Sequence, residues 1–242
     1  MRYTTSITLI FNPMSHTYEV EIKSLLGSKE NALNLISKLT AYDPNLVLSN
    51  EGKQLNHYFN VPEGVNLKTA LSSLIPDDKK SDFERIVTEG KKLSVRTRQS
   101  TDEKGEKVIF VIKASVGDDS SSNGVKRIEF ESKVNISLDA LDKVLLDAGL
   151  TYQAKWSRER QEYVSGDLHV CLDKNAGYGY LAEFEKVTTD ESQLDRTKAE
   201  LISLMEKVGV SELPQDRLER MFAHYNANWE KYYGTENTFN IE

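Results

Sequence analysis

Charged residues recur at alternate positions in one segment after another of this sequence. The sets are Glu19, Glu21 and Lys23; Arg96 and Arg98; Arg127, Glu129 and Glu131; Arg158 and Arg160; and Glu183 and Glu185, with Lys113 and Asp173 standing singly. Seven acids and seven bases make up this group. Interleaved with them or on the same segments stand Tyr18, Val20, Ile22, Val95, Ile112, Ile128, Phe130, Ala182 and Phe184. A period of two belongs to a β-strand, whose side chains alternate between faces. One face of an antiparallel sheet would then be ionic and the other apolar. Carboxylates in excess of pairing needs suit hard divalent cations such as Mg²⁺ or Mn²⁺. Arginine and lysine at alternate positions suit the oxygens of a polyphosphate.

Two arrangements satisfy this pattern equally. In one, an open sheet turns its ionic face to water and helices cover the apolar side. In the other, the sheet closes into a barrel whose lumen holds the charges, with helices packed outside. An empty lumen of that kind is costly, because desolvation of buried ions often outweighs their pairing. It becomes reasonable when the lumen binds something that is itself highly charged.

The elements that must position these residues are read from periodicity and punctuation. Strands are expected over Thr17–Ser24, Leu93–Gln99, Val108–Ser115, Lys126–Val134, Thr151–Glu162, Asp167–Asp173 and Tyr180–Val187. Asn45–Ser49 and Leu55–Val61 read as two more, joined as a hairpin by Asn50–Glu51–Gly52. Ser28 and Ser137 are placed to cap helices over Lys29–Leu39 and Leu138–Ala148. Leu67–Gly90, split by Pro76, reads as one or two short helices inserted on the surface, and Asp118–Gly124 as a low-complexity loop. Asp190–Val208 and Leu213–Tyr233 close the chain as helices. The expected organisation is a leader over 1–14, with Met14 as an alternative start. A sheet domain over 15–190 follows, carrying a helical insert around 62–92, and C-terminal helices over 191–242 pack on it.

Composition narrows the functional classes. In 242 residues, 31 Lys and Arg face 38 Asp and Glu for a net charge of −7, a surface that repels nucleic acid and anionic lipid. With 38% hydrophobic and 29% charged residues the chain has an ordinary globular composition. Cys171, the single cysteine, excludes an internal disulfide framework and a multi-cysteine metal site. The longest apolar run is Val108–Ile112, far short of the ~20 residues of a membrane span, and the N-terminus makes a poor signal peptide. A cytoplasmic protein is expected, without nucleic-acid or membrane partners, as a monomer or homodimer.

Glu19-Val20-Glu21-Ile22-Lys23 is a literal E-x-E-x-K, and in combination with six later motifs it resembles the CYTH, or triphosphate tunnel metalloenzyme, superfamily. Gln54–Asn60 resembles that family's Q-x-N-x-Y-F-D segment, Val95–Arg98 its L-R-I-R strand and Phe110–Lys113 its T-I-K strand. Arg127–Glu131 matches R-x-E-x-E, and Arg158-Glu159-Arg160 stands where K-x-R is usual. Leu172-Asp173-Lys174 and Gly177–Glu185 are similar to the L-D-x-V…G-x-G-x-F-x-E-x-E ending. The resemblance runs from Tyr18 to Val187 in the family's order. It implies an α+β fold: an eight-stranded antiparallel β-barrel, the triphosphate tunnel, with an ionic lumen and helices outside. By position it gives Glu19, Glu21, Glu129, Glu131, Asp173, Glu183 and Glu185 as metal ligands, and Mg²⁺ or Mn²⁺ as cofactor. Lys23, Arg96, Arg98, Lys113, Arg127, Arg158 and Arg160 would clamp a small-molecule triphosphate, with Lys23, Arg158 and Arg160 taking part in catalysis. Departures are Asn60 for the usual Asp, Ala114 for the Gly after the T-I-K lysine, and a longer stretch between Pro62 and Lys92.

The implied activity is metal-dependent hydrolysis of tripolyphosphate, thiamine triphosphate or a nucleoside triphosphate. The alternatives are a class IV adenylyl cyclase, making cyclic AMP and pyrophosphate from ATP, and a non-catalytic polyphosphate or nucleotide sensor. His16-Thr17 stands where cyclase-like members tend to carry His-Phe, which favours hydrolysis, whereas Arg158–Arg160 and Gly177–Glu185 look like the cyclase branch. His16, His57, His169 and His224 are dispersed and form no set. Cys171 reads as a packing residue, and Tyr58 could approach the lumen or brace the core, the core being favoured. Trp156 alternates with Arg158, so it would face the same side and could touch a base or thiazolium ring. Trp229, Tyr232 and Tyr233 read as docking residues of the last helix. No helix follows Gly177–Gly179, so that turn is not a nucleotide-binding loop.

Overall fold

Period-two segments become strands and period-3.6 segments become helices that cover their apolar side. The computed structural model describes the backbone of residues 6–12, 15–115 and 126–242, and the side chains of 18–114 and 129–242. The low-complexity loop at Asp118–Gly124 lies outside the described residues. Among the described residues nine strands form the sheet: β1 (Ser6–Asn12), β2 (Ser15–Gly27), β3 (Val47–Asn60), β4 (Lys91–Asp102), β5 (Gly105–Ser115), β6 (Lys126–Val134), β7 (Thr151–Ser165), β8 (Leu168–Asn175) and β9 (Gly179–Thr188). Six α-helices accompany them: α1 (Lys29–Tyr42), α2 (Leu67–Leu71), α3 (Lys80–Glu89), α4 (Leu138–Asp147), α5 (Leu194–Lys207) and α6 (Gln215–Asn228).

Eight strands run antiparallel in the order β2-β9-β8-β7-β3-β4-β5-β6. The expected α+β arrangement of an eight-stranded antiparallel sheet and helices is present, and among the described residues no β2–β6 pairing closes the eight strands on themselves. The ring of pairings returns on itself through a ninth strand. β1 runs antiparallel to β2 and parallel to β6, the latter through Ile7–Leu9 against Lys126–Ile128. Ser6–Asn12, expected within a leader, is therefore a strand. Its sequence, SITLIFN, is rich in β-formers.

The hairpin expected at Asn50–Gly52 is instead the middle of one long strand, β3. β7 pairs straight through it, with Asn50, Glu51 and Gly52 opposite Glu162, Gln161 and Arg160, and β4 joins at Gly52, opposite Asp102. Glycine is needed there for close approach, since a Cβ would stand 2.5 Å from the Thr101 carbonyl oxygen. The register slip between Leu48 and Asn50 marks a bulge.

Ser28 and Ser137 cap α1 and α4 through hydrogen bonds to the Asn31 and Ala140 amides. The core lies between the sheet's apolar face and the helices, in two clusters. One joins Val20, Ile22, Val170, Leu172, Ala182 and Phe184 to α1 and α5 through Leu35, Leu39, Leu201 and Met205. The other joins Phe59, Val95, Phe110, Ile112 and Phe130 to Leu71, Phe83, Ile86, Leu141 and Leu145. The helical insert is thus part of the core's cover, with Leu67, Leu71, Phe83 and Ile86 at most 2% exposed. Among the described residues no helix is long and apolar enough to cross a membrane.

Candidate functional site

Alternation places the charged side chains of seven strands opposite that core. On β2, Tyr18, Val20 and Ile22 are buried while Glu19, Glu21 and Lys23 are half-buried on the other face. In register, β9 sets Glu185 beside Glu21 and Glu183 beside Lys23. On β8, Asp173 is fully buried and lies opposite Arg160 of β7. Thirteen of the fourteen expected site residues have described side chains. The backbone of Arg127 lies in β6, but its side chain falls outside the described residues, as does that of His16 on β2.

Ion pairs divide most of the thirteen into two groups. In the first, Lys23 contacts Glu21 and reaches Glu183 at 3.1 Å, and Arg160 joins Glu183 at 2.5 Å and Asp173 at 2.6 Å. Arg158 completes it with Asp173 at 2.8 Å. In the second, Glu129 accepts Lys113 at 2.8 Å and Arg96 at 3.4 Å, and Arg98 reaches Glu131 at 3.2 Å. Against the burial that would raise it, Lys23 and Arg160 hold the Glu183 carboxyl well below the usual range. Lys113 and Arg96 likewise lower Glu129. Burial, reinforced by the neighbouring Arg96, lowers Arg98 to about 10.

Glu19 and Glu185 stand apart from both groups, with no ion pair among the described residues. Burial pushes Glu19 up to about 7, and the nearby Glu185 and Glu129 add to the shift. Burial and Glu183 raise Glu185 in the same way. Glu19, Glu21 and Glu185 each offer a carboxylate oxygen within 4.8 Å of the others. Three acids in such proximity, two of them resisting ionisation, fit a hard divalent cation that would neutralise them together. Glu129, Glu131, Asp173 and Glu183 are occupied by arginine and lysine, and Glu21 contacts Lys23, so the structure groups five of the seven expected ligands with cations.

Several uncharged side chains share this face, and nothing in their charge marks them in the sequence. Gln54, Asn56 and Tyr58 alternate along β3 and receive Arg158 Nε at 2.9 Å, Arg98 Nε at 3.0 Å and Arg96 Nη1 at 2.9 Å. Their period of two was visible, but they carry no charge. Tyr58 takes the less favoured of its two expected places and lies among guanidinium groups, because β3 turns His57 and Phe59 toward the core and Tyr58 away from it. Cys171 alternates with the buried Val170 and Leu172 and lies opposite Glu183, so it belongs to the charged face and not to the core. Burial, with Glu183 and Asp173 nearby, pushes its thiol up to about 12. Among the described residues Arg96 Nε is buried without a hydrogen-bond partner, a cost of about 1–3 kcal/mol for a donor shut away from water.

One end of the charged face is apolar and covered by α6. Leu25 of β2 and Leu181 of β9, in register, pack with Leu213 and Met221. Trp156 does share the face of Arg158, but Tyr225 of α6 stacks on it at 3.6 Å with an 18° interplanar angle, so its expected contact with a base or thiazolium gives way to a packing role. Gly177 must be glycine where the turn into β9 passes under α6, since a Cβ would meet the Tyr225 ring at 2.7 Å. The C-terminal segment is anchored outside the charged face. Tyr233 Oη meets His57 Nε2 at 2.7 Å, and His57 Nδ1 meets Asp142 Oδ2 of α4 at 2.6 Å. His169 stands opposite Glu185 in register, and His224 contacts Tyr232 at 3.2 Å.

A comparison with curated protein sequences finds no match. Solved structures show a similar fold. A Pyrococcus horikoshii protein aligns with a TM-score of 0.59 at 18% identity, covering 86% of this chain and 99% of its own. A Vibrio parahaemolyticus protein, described as a proposed adenylate cyclase, gives 0.55 at 16% identity over 85% and 97%. A Hippeastrum protein, described as a proposed adenylyl cyclase with a dominant triphosphatase activity, gives 0.50 at 17% identity over 85% and 96%. The CYTH domain family model matches residues 17–217, spanning the charged strands and the helices that carry them, and the chain belongs to the CYTH family.

Proposed function

We propose that this protein is a divalent-metal-dependent phosphohydrolase of a triphosphate, held in a tunnel formed by the charged face of the ring. Tripolyphosphate, thiamine triphosphate and nucleoside triphosphates are the candidate substrates. The observation that carries this reading is the segregation of charge on one face. Three crowded carboxylates, Glu19, Glu21 and Glu185, lie on the same face as four guanidinium groups, Arg96, Arg98, Arg158 and Arg160. Glu19, Glu21 and Glu185 would hold the cation, whose chemistry is to neutralise phosphate oxygens and polarise the bond that breaks.

The chain's own groups account for binding and orientation. Arg96, Arg98, Arg158 and Arg160, with Lys23 and Lys113, present N–H donors to non-bridging oxygens and fix the phosphate chain along the strands. Phosphoryl transfer demands chiefly positioning and stabilisation of equatorial charge, which fixed guanidinium groups supply in a site poor in water. Water adds to the terminal phosphorus as its bridging P–O bond breaks, giving phosphate and a diphosphate. Glu183 and Asp173 keep Arg158 and Arg160 in place through their ion pairs.

Purified protein incubated with Mg²⁺ or Mn²⁺ and, separately, tripolyphosphate, thiamine triphosphate and ATP tests the reading. Release of phosphate with a diphosphate is the expected result. Cyclic AMP with pyrophosphate from ATP would replace it with the cyclase reading, and binding of a triphosphate without turnover would replace it with a sensor.

A further inference from the structure

The geometry points to strand β3 as a third, neutral component of the site: Gln54, Asn56 and Tyr58 each hold an arginine with an oxygen and present a hydrogen to the bound polyphosphate. The inference rests on the triphosphate reading above and deepens it. It starts from a regularity in three consecutive same-face positions. Gln54 Oε1 accepts from Arg158, Asn56 Oδ1 from Arg98, and the Tyr58 hydroxyl oxygen from Arg96.

A guanidinium has five donors and no acceptor, so each contact must use an oxygen on β3. That fixes the two amides with their oxygen toward arginine and their NH₂ turned elsewhere. It also directs the Tyr58 hydroxyl hydrogen away from Arg96, whose guanidinium carbon sits 5.6 Å from the Tyr58 ring centroid. Among the described residues, the amide hydrogens of Gln54 and Asn56 and the Tyr58 hydroxyl hydrogen meet no protein acceptor. Asn56 is 3% exposed as a whole residue, yet its unpartnered amide nitrogen is not among the side-chain atoms shut away from the surface, so a ligand oxygen can reach it. Guanidinium groups surround the row: Arg96 and Arg98 from β4 and Arg158 from β7, all acting on Tyr58. A neutral donor surrounded by cations is matched by an anion.

A carboxylate on β3 would hold the arginines more firmly, by charge-assisted bonds, yet would repel a phosphate. Amide and phenol groups orient the arginines and still add donors. The row is thus suited to a ligand that is wholly acceptor, such as the non-bridging oxygens of a phosphate chain.

Asn56→Asp separates this role from a structural one, because it keeps and strengthens the oxygen facing Arg98 while removing the donor and adding a negative charge. Tyr58→Phe keeps the ring and removes the hydroxyl. Steady-state kinetics with the substrate that wild type turns over, and calorimetric titration with tripolyphosphate in the presence of Mg²⁺, are to be run on wild type and both variants, with thermal unfolding as the fold control. The expected result is a KM and Kd raised about 100-fold in Asn56→Asp and about tenfold in Tyr58→Phe, at unchanged unfolding temperature. If wild type binds and turns over substrate while both variants stay within twofold of it, the role of β3 is overturned and the triphosphate reading stands. If wild type neither binds tripolyphosphate nor acts on any triphosphate, the triphosphate reading falls first and the β3 inference with it.

Discussion

Glu183 and Glu185 lie two residues apart on β9 and share a face, yet their surroundings act on them in opposite directions. Lys23 and Arg160 stabilise the ionised form of Glu183, while burial and like charge penalise that of Glu185. Two substitutions of the same chemistry should therefore part company. Glu185→Gln is expected to lower turnover at least about 100-fold, as loss of a cation ligand does, while the metal-free protein unfolds at the same or a higher temperature. Glu183→Gln leaves Lys23 and Arg160 with an unmatched charge in a site where Glu183 is 14% exposed. A loss on the order of 2 kcal/mol is expected there, seen as an unfolding temperature lower by about 4–8 °C. Equal thermal stability of the two variants would contradict the electrostatic division of the site. This division was not legible in the sequence, where the two glutamates are equivalent members of E-x-E. It depends on which strands flank β9, and that is a long-range property.

At the scale of elements, α4 and the C-terminal segment are tied to the sheet through one carboxylate. Asp142 accepts from Thr97 at 2.6 Å and Tyr152 at 2.7 Å and meets His57 at 2.6 Å, and His57 in turn meets Tyr233. Against its burial, these bonds hold the Asp142 carboxyl below its ordinary 3.8. A depressed folded-state pKa gives stability that is present above the unfolded value and lost as pH falls through the folded one. Wild type is accordingly expected to lose stability below about pH 4, and Asp142→Asn to show a lower plateau at neutral pH with a flatter acid limb in urea titrations. Tyr233→Phe should cost about 1 kcal/mol and speed proteolysis of the C-terminal segment. Helix starts such as Ser28 and Ser137 were readable because a cap acts within three residues. β3 was not, because Asn50-Glu51-Gly52 has the composition of a turn and only pairing with the distant β7 carries the strand through it. The same applies to His57. Its isolation in the sequence concealed partners 85 and 176 residues away.

For the molecule as a whole, the charged face costs stability that a ligand can restore. Ion pairing still leaves Glu19 and Glu185 opposed by burial, and Arg96 Nε without a partner among the described residues. Mg²⁺ together with a non-hydrolysable triphosphate at 100 times its Kd should stabilise the protein by about 2.7 kcal/mol. For a chain of this size that is a rise of about 5–11 °C in unfolding temperature, and no shift with both present would argue against the triphosphate site. The strand alternation and the order of motifs made the sheet's two-faced character legible from sequence. The closing strand was hidden, because Ser6–Asn12 carries none of the charges that marked the others. One further consequence attaches to Cys171. With its ionisation displaced to about 12, on the order of one molecule in 10⁵ carries a thiolate at pH 7, so alkylating reagents should modify it slowly. As the chain's single sulfhydryl, facing Glu183 across the strands, it is a native chemical reporter. Its labelling rate by a small neutral maleimide, followed by mass spectrometry, offers a way to track occupancy without a substrate assay or an introduced probe.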